Sequence, residues 1–497
     1  MAFIFYDTET TGADRSFDQI LQFAAALTDD DLNVIDSFEI RCRLLPHVVP
    51  SPGAMVVTGV RVDQLFDLQI PSHYEMCRRI HEVLTAWSPA TVVGYNSISF
   101  DEELLRRAFY SSLLPIYLTN TGGNSRLDIL PLAIAAHTFA PEGFNWPVNE
   151  KGRTSFKLDR LAPANGFEHS NAHDALADVY ATIHIARLIK DRAPVVWESA
   201  MAYRSKAIAT QYVELNSVFV ATRLRFGLCS SFLVTAIGTN PDNSGEVFLL
   251  DLRQDPAALS TMTSEKLTAH IATKPRPVSS LKLNASPLFL PIETVGEKAP
   301  GYDLGMEEIT RRSELVRSDE GLRRRLISAV LQARSPFPES PHLEEQIYGS
   351  FYSRSDQSRI DEFREAGWPR RFELSGQFED RRLRGLSRRL IYIDAPDVMP
   401  ANMRADYARA IAARIHSRTE TTGRWTTLAQ AIEEGREMLT NAHPGSEEIL
   451  REHLAKLTAW RDELSILLGE TGLSSAPSEG RSSDPVRILP ESVEGAP

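Results

Sequence analysis

Two carboxylates lie two residues apart near the start of the chain. Asp7 and Glu9 follow an apolar run in the stretch FIFYDTETTG, which covers residues 3 to 12. Side chains i and i+2 of a β-strand project from the same face, so a strand here would hold the two carboxylates side by side. Neighbouring negative charges are costly unless a cation or a shared proton offsets them. The pair favours a divalent metal site, and a strand end whose acids face solvent is the alternative interpretation.

Three more residues have side chains suited to the same chemistry. Asp101 lies at the start of one predicted helix, Asp178 lies within another, and His173 precedes Asp178 by five residues. Carboxylates can hold two divalent cations about 4 Å apart, which activate a water and stabilise the leaving oxygen of a phosphodiester. Oxygen ligands favour Mg²⁺ or Mn²⁺ over zinc. We therefore predict that Asp7, Glu9, Asp101 and Asp178 hold two Mg²⁺ ions, for which Mn²⁺ can substitute.

His173 has the near-neutral pKa that suits a general base acting on a metal-bound water. Five residues along an α-helix, at about 3.6 residues per turn, correspond to about 140° around its axis. His173 and Asp178 cannot face one site from a regular helix, so we expect His173 in the loop or first turn before it. Taken singly, Asp101 could be a helix cap, His173 a surface residue and Asp178 an exposed acid.

The composition is that of a globular protein with about three domains of ordinary size. The chain has 497 residues, of which 42% are hydrophobic and 24% charged, and its net charge is −12. Three scattered cysteines form no metal-ligand spacing, which fits a reducing compartment. We predict a cytoplasmic protein with no signal peptide and no membrane span. The negative net charge means that any binding of nucleic acid requires a local basic groove.

The order of elements predicts an α/β domain at the N-terminus. Strand-like patterns at residues 19–28, 34–43 and 90–95 follow the first strand, and residues 126–139 and 168–190 have helical patterns. Sites in such sheets lie at strand ends and adjoining helix starts, where the acidic residues are found. We place the first domain boundary at residue 193, where DRAPVV interrupts the helical pattern.

The rest of the chain consists of two regions with different sequence patterns and a C-terminal tail. Residues 194–340 contain short strand-like runs separated by turns, which predicts a small β-barrel or a sheet with inserted helices. Residues 341–471 are dominated by helical patterns, and residues 472–497 are rich in Ser, Pro, Gly and Glu. A segment of that composition cannot build a core, so we predict a disordered tail.

The acidic motifs occur in a recognisable order: D-x-E on the first strand, N-x-x-x-F-D before a helix, and H-x-x-x-x-D at a later helix. This pattern resembles the DEDDh exonucleases, which include polymerase proofreading subunits. The segments PEGFNWPVNEKG, SFKLDRLAPANG and EHSNAHDALADVYATI narrow the resemblance to the bacterial exodeoxyribonuclease I family.

The resemblance implies a fold and an activity. The expected architecture is a ribonuclease H-like mixed-sheet exonuclease domain over 1–193, a Src-homology-3-like β-barrel domain over 194–340 and an all-helical C-terminal domain over 341–471. The expected activity is 3′-to-5′ hydrolysis of single-stranded DNA to 5′-mononucleotides by a monomer, in DNA repair and recombination. The resemblance also assigns metal binding to the four acids and base catalysis to His173.

The family further suggests contacts with DNA and with a protein partner. The expected substrate-binding residues are Glu9, Arg106, Tyr117, Arg126, Lys157 and Lys206. An arginine-rich run from Arg370 to Arg389 is either a basic lining for DNA, a dock for the acidic tail of single-strand binding protein, or a solvated face with local ion pairs. Thr8 and Thr11 replace aromatic residues of the enterobacterial form, and Lys157 replaces an arginine, which puts the contacts with the 3′ nucleotide in question.

Two other functions remain open from the sequence. The acidic motifs do not select the sugar, so an RNA 3′-exonuclease of the same class is one alternative, although such enzymes are usually short single domains. A non-catalytic protein that binds single-stranded DNA or docks a partner is the other. The presence of all five candidate catalytic residues argues against a decayed site.

Overall fold

The structure is a computed structural model, and the residues it describes are 2–168, 174–225, 228–299, 301–334, 340–416 and 424–470. None of the helices within these ranges combines the length and the hydropathy needed to cross a bilayer.

A five-stranded mixed sheet forms the first part of the molecule. Its strands are β1 (Phe3–Thr10), β2 (Ile20–Thr28), β3 (Val34–Arg41), β4 (Thr91–Gly94) and β5 (Ser125–Asp128). The order is β3-β2-β1-β4-β5, with antiparallel pairing among β1, β2 and β3 and parallel pairing of β1 with β4 and of β4 with β5. This arrangement confirms the predicted α/β class.

The helices of the same region lie between β3 and β4, between β4 and β5, and after β5. They are α1 (Pro52–Thr58), α2 (Val62–Phe66), α3 (His73–Ala86), α4 (Asp101–Ser111), α5 (Ile129–Phe139), α6 (Leu158–Ala164), α7 (Ala175–Arg192), α8 (Pro194–Tyr203) and α9 (Lys206–Leu215). The predicted helix over 126–139 was wrong at its start, because residues 126–128 belong to β5. These residues pair with β4 in a parallel ladder, and such long-range pairing overrides the local helical pattern.

Strand β1 is central, and its alternating side chains enter two different cores. Phe3 and Phe5 pack in a cluster that includes Ile183 of α7. Ile4 and Tyr6 pack on the opposite face in a cluster formed with α3 and α4. Because successive side chains of a strand alternate between faces, positions 7 and 9 continue the α7 face and position 8 continues the α4 face.

The middle of the chain forms a second five-stranded sheet. Its strands are β6 (Phe219–Arg225), β7 (Leu228–Asn240), β8 (Asn243–Asp251), β9 (Val278–Lys282) and β10 (Leu288–Leu290), and its helices are α10 (Pro256–Ser260), α11 (Ser264–Ile271), α12 (Ile292–Val295), α13 (Met306–Ser318) and α14 (Glu320–Gln332). The strands pair antiparallel in the order β10-β6-β7-β8-β9. Side chains of α11, α13 and α14 share a core with this sheet, as expected for a sheet with inserted helices.

The C-terminal part is helical, as its pattern predicts. Its helices are α15 (Arg354–Glu365), α16 (Trp368–Gln377), α17 (Arg381–Asp394), α18 (Ala401–His416), α19 (Leu428–Thr440) and α20 (Pro444–Glu470). Their core also contains Tyr74 of α3 and Tyr110 of α4. The C-terminal helices therefore pack against two helices of the first part of the molecule.

The domain boundaries at 193 and 340 stay predictions. Ala193 lies between the end of α7 and the start of α8. Apolar packing continues across this point, since the ring centroids of Phe3 and Trp197 lie 5.9 Å apart. The predicted tail over 472–497 lies outside the described residues.

Candidate active site

Three acidic side chains converge at the carboxyl end of β1. Asp7 and Glu9 share the face of β1 that packs against α7, and Asp178 lies in the first turn of that helix. One ligand oxygen from each of the three carboxylates lies within 4.8 Å of the other two. The alternation of the strand and the packing of α7 on its Phe3 and Phe5 face together produce this arrangement.

Asp101 reaches the same cleft from the other side of the sheet. It is the first residue of α4, which packs on the face of β1 that carries Tyr6. The Thr8 hydroxyl donates a hydrogen bond of 2.5 Å to Asp101 Oδ1. Asp7, Glu9, Asp101 and Asp178 all line one open cleft of about 790 Å³. The structure thus brings all four predicted acids to one place.

The electrostatics of the group favour a bound cation. Burial, followed by the charges of Asp101, Asp178 and Glu9, raises the pKa of Asp7 well above its ordinary value. Burial and the neighbouring Asp178 and Asp101 raise the pKa of Glu9 to about 8, and burial raises the pKa of Asp101 to about 7. A divalent cation would offset this repulsion. The donors are carboxylate oxygens, the ligand type that Mg²⁺ and Mn²⁺ prefer, so these residues fit such an ion.

Two families and several solved structures match this chain. The Exonuclease family matches residues 4–186, and the Exonuclease I C-terminal domain family matches residues 341–464. Exodeoxyribonuclease I of Escherichia coli (strain K12) is 31% identical over 374 residues, which cover 72% of this chain and 78% of that protein. The chain belongs to the exodeoxyribonuclease I family. It is therefore a nuclease of the hydrolase class.

The similarity extends to the whole three-dimensional arrangement. A zinc-bound crystal structure of an E. coli exonuclease I complex with single-stranded DNA has 27% sequence identity and a TM-score of 0.79, and the match covers 93% of this chain and 99% of that chain. A crystal structure of SSB and exonuclease I in complex with the inhibitor CFAM has 26% identity, a TM-score of 0.78 and the same coverage.

His173, the predicted base of this exodeoxyribonuclease I family member, lies outside the described residues. Helix α7 begins at Ala175, and the side chain of Asp174 accepts a hydrogen bond from the backbone N–H of Ala177 as its N-cap. The placement of His173 in the loop or first turn before the helix stays a prediction, and so does its role as the base.

Lys157 lies at the rim of the acidic cleft. It is exposed at the N-cap of α6 and lines the cleft together with Lys151 and Arg160. These cations lie where an anionic substrate would approach the carboxylates. Lys151 and Arg160 were not predicted from the sequence, although the basic residues in and after the loop PEGFNWPVNEKGRTS were a usable signal.

Asp128 is a third residue of this region that was not predicted from the sequence. It lies at the end of β5, is buried, and accepts hydrogen bonds from the backbone N–H groups of Asn96 (2.8 Å) and Ile98 (3.2 Å). It thereby holds the turn that leads into α4 and Asp101. An acid at the end of a strand was the available signal, but the assignment of residues 126–139 to a helix concealed that strand.

The predicted DNA contacts Arg106, Tyr117 and Arg126 lie in a different environment. Both arginines are buried and pair with Glu102 Oε1, at 2.8 Å from Arg106 and 3.0 Å from Arg126. The Arg106 guanidinium also lies 5.1 Å from the centroid of the Tyr117 ring, and that ring is 40% exposed. These three residues form a structural cluster beside α4, and their contact with DNA stays a prediction.

Lys206 and the arginine run also stay outside the acidic cleft. Lys206 begins α9, is exposed, and lies 3.5 Å from Ser244 Oγ. In the run from Arg370 to Arg389, Arg370 pairs with Glu362, Arg382 with Asp380 and Arg389 with Glu344, while Arg371 lies over the ring of Trp368. For these four arginines the contacts favour the interpretation of local ion pairs and packing.

Proposed function

We propose that this protein is a single-strand-specific 3′-to-5′ exodeoxyribonuclease that releases 5′-mononucleotides. The observation that carries the proposal is the convergence of the carboxylates of Asp7, Glu9 and Asp178 within 4.8 Å, in a cleft that Asp101 also lines. The complex of the E. coli relative with single-stranded DNA supports the choice of substrate.

The proposed metal site consists of Asp7, Glu9, Asp101 and Asp178, with Mg²⁺ as the preferred ion and two ions bound. When bound, such ions lower the pKa of a coordinated water and offset the charge that develops on the phosphodiester. The chain supplies the negative charge that attracts them, and its strand and helix ends hold the carboxylates rigidly. Fixed placement of charge around the reacting group is usually the largest single contribution that a protein makes to such reactions.

Other residues of the chain have roles around these acids. His173 accepts the proton of the attacking water. Glu9 also borders the site of the 3′-terminal nucleotide, and Lys157 offers its ammonium group to the phosphate that enters the cleft. We place Arg106, Tyr117, Arg126 and Lys206 along the remaining path of the DNA.

Partners and setting follow from the same proposal. A single copy of the chain supplies every proposed metal ligand, so we propose a monomer that acts in DNA repair and recombination in the cytoplasm. The structure of an exonuclease I relative with SSB supports the C-terminal tail of a single-strand binding protein as a partner. Binding of a peptide with that tail sequence, measured by fluorescence anisotropy, tests this part.

The test of the metal site uses Asp7→Ala and Asp178→Ala, with Asp191→Ala as the matched control. Asp191 is an exposed acid on α7, thirteen residues beyond Asp178. We expect both site variants to lose nucleotide release by at least about a thousandfold, because removing a metal ligand removes the charge stabilisation of the transition state. The control should keep the wild-type rate. Full activity in either site variant would refute the assignment.

The direction of digestion and the preference for DNA over RNA are tested on the wild-type protein. A 5′-labelled single strand should shorten progressively while a 3′-labelled strand should release labelled mononucleotide at once. Matched DNA and RNA strands separate the proposal from the RNA 3′-exonuclease alternative. Equal or faster digestion of RNA would overturn the choice of DNA, and the absence of Mg²⁺-dependent release would favour the non-catalytic alternative.

A further inference from the structure

The face of β1 that does not carry the acidic pair makes its own contacts with α4. Thr8 donates its hydroxyl hydrogen to Asp101 Oδ1 at 2.5 Å, and Tyr6 donates its phenolic hydrogen to Glu102 Oε2 at 3.4 Å. Thr8 and Asp101 are 7% and 5% exposed. Two side chains on one face of the strand therefore hold two consecutive residues of the first turn of α4.

Glu102 is itself anchored from its other side. It is 1% exposed, and its Oε1 accepts a hydrogen bond of 2.6 Å from Thr119 in addition to its ion pairs with Arg106 and Arg126. Arg126 also donates to the backbone carbonyl of Asn284, at 2.5 Å, in the loop after β9. This network fixes the first turn of α4 as a unit but does not touch the Asp101 carboxylate.

The start of α4 depends on such tertiary contacts. Phe100 is the N-cap residue, and its side chain makes no capping hydrogen bond. A helix start without a side-chain cap lacks the local interaction that usually defines its entry. The carboxylate of Asp101 turns about a broad torsion, so a contact with one of its oxygens determines where the other oxygen points.

We propose that Thr8 is a positioning residue. Its hydroxyl orients the Asp101 carboxylate toward the carboxylates of Asp7, Glu9 and Asp178, which form the rest of the proposed metal site. This inference rests on the proposed function, because it assumes that Asp101 completes the metal site. It differs from a role for Thr8 in stacking or binding the 3′ nucleotide, since the hydroxyl is buried and already committed to Asp101. The β-branched threonine restricts its own χ1 torsion, which holds the hydroxyl in the required direction.

The test compares Thr8→Val, which keeps the shape but removes the donor, with Thr8→Ser, which keeps the donor. Thr28→Val is the control, because Thr28 is a buried threonine at the far end of β2 whose hydroxyl donates to a carbonyl of Asp29. The main readout is Mn²⁺ binding to the DNA-free protein, measured by electron paramagnetic resonance. The second readouts are the half-saturating Mg²⁺ concentration and the split between kcat and KM for nucleotide release.

We expect Thr8→Val to weaken Mn²⁺ binding and to raise the half-saturating Mg²⁺ concentration by about tenfold, the usual loss when a partner of a metal ligand is removed. The loss should fall on kcat, with KM for DNA unchanged. Thr8→Ser should remain within about threefold of wild type, and Thr28→Val should match wild type. Thr8→Ala should reproduce the loss of Thr8→Val, and it decides the question if the valine variant does not fold.

Two outcomes would overturn the inference. One is wild-type Mn²⁺ binding in the folded valine or alanine variant, and the other is an equal loss in the serine variant, which would indicate a steric role. A raised KM with unchanged kcat and Mn²⁺ binding would instead assign Thr8 to DNA contact and reject positioning. Failure of the wild-type protein to release nucleotides would refute the proposed function, while the Mn²⁺ comparison would still decide the role of Thr8.

Discussion

The acidic group at the end of β1 and the ion cluster around Glu344 are both largely buried, but their charges are balanced in opposite ways. Glu344 lies in the 3₁₀ helix Leu343–Tyr348, with Arg389 Nη1 at 2.6 Å and Arg414 Nη1 at 2.8 Å. Burial alone would raise its pKa, yet the two guanidinium groups hold that pKa well below the ordinary value. At β1 burial raises the pKa values of Asp7 and Glu9, and the charges of the neighbouring acids raise them further.

The difference shows what each cluster contributes to the molecule. A buried acid whose charged form is stabilised in the folded state adds to stability at neutral pH, whereas acids whose charged forms repel one another subtract from it. The Glu344 cluster joins the 3₁₀ helix to α17 and α18 and is structural. The group at β1 costs stability in the metal-free protein, as expected of a site built for a ligand.

The largest effect on stability should come from Glu344→Gln. The change leaves the largely buried Arg389 and Arg414 without their counter-charge, and breaking a buried pair costs about 3 kcal/mol. We expect a clearly lower melting temperature by differential scanning calorimetry, with DNA hydrolysis retained at low temperature. An unchanged melting temperature would show that the two arginines find other partners. It would contradict the stabilising role that distinguishes the Glu344 cluster from the acids at β1.

A smaller effect of opposite sign should follow from Glu9→Gln in the presence of EDTA. The folded-state pKa of Glu9, about 8, is raised above its unfolded value, so the folded protein binds the extra proton below that pH and loses this stabilisation as pH rises toward 8. The variant should therefore melt above wild type near pH 8, and the difference should shrink as the pH falls to about 4.5. A difference that is independent of pH would contradict the raised pKa of Glu9 in the folded protein.

The same experiment with Mg²⁺ sharpens the comparison. An ion that binds only the folded protein stabilises it by about 2.7 kcal/mol at a hundred times its dissociation constant. Wild type should gain melting temperature with Mg²⁺ and Glu9→Gln should gain much less. Glu344→Gln serves as the control here, because its loss of stability should not depend on the metal.

The smallest effect is expected for Glu362→Gln. Glu362 pairs with Arg370 at 2.8 Å, but the two side chains are 50% and 46% exposed. Solvent and salt screen such a pair, and many exposed pairs contribute nothing measurable. The melting temperature should match wild type at physiological salt. A fall in melting temperature comparable to that of Glu344→Gln would mean that burial does not explain the different contributions of the Glu362 and Glu344 ion pairs.

Much of the site could be predicted from local sequence patterns. The two-residue spacing of Asp7 and Glu9 places both on one face of a strand whatever the rest of the chain does, because alternation is a property of the backbone. The distance of five residues between His173 and Asp178 predicts that the histidine precedes α7. Helix α7 begins at Ala175, and His173 itself lies outside the described residues. The order of strands and helices was enough to predict the α/β class.

Only the tertiary structure decided which charged residues are buried and which partners they have. The chain separates Glu344 from Arg389 by 45 residues and Arg126 from Asn284 by 158, so no periodicity reveals these contacts. The strand at residues 125–128 exists because β4 pairs with it, and the hydroxyl of Thr8 has its partner in Asp101, 93 residues further along. The sequence by itself determined which carboxylates share a face, because that depends on neighbours along one strand. The fold decided how deeply each charged side chain is buried and which residues it contacts, because both depend on residues far apart in the chain.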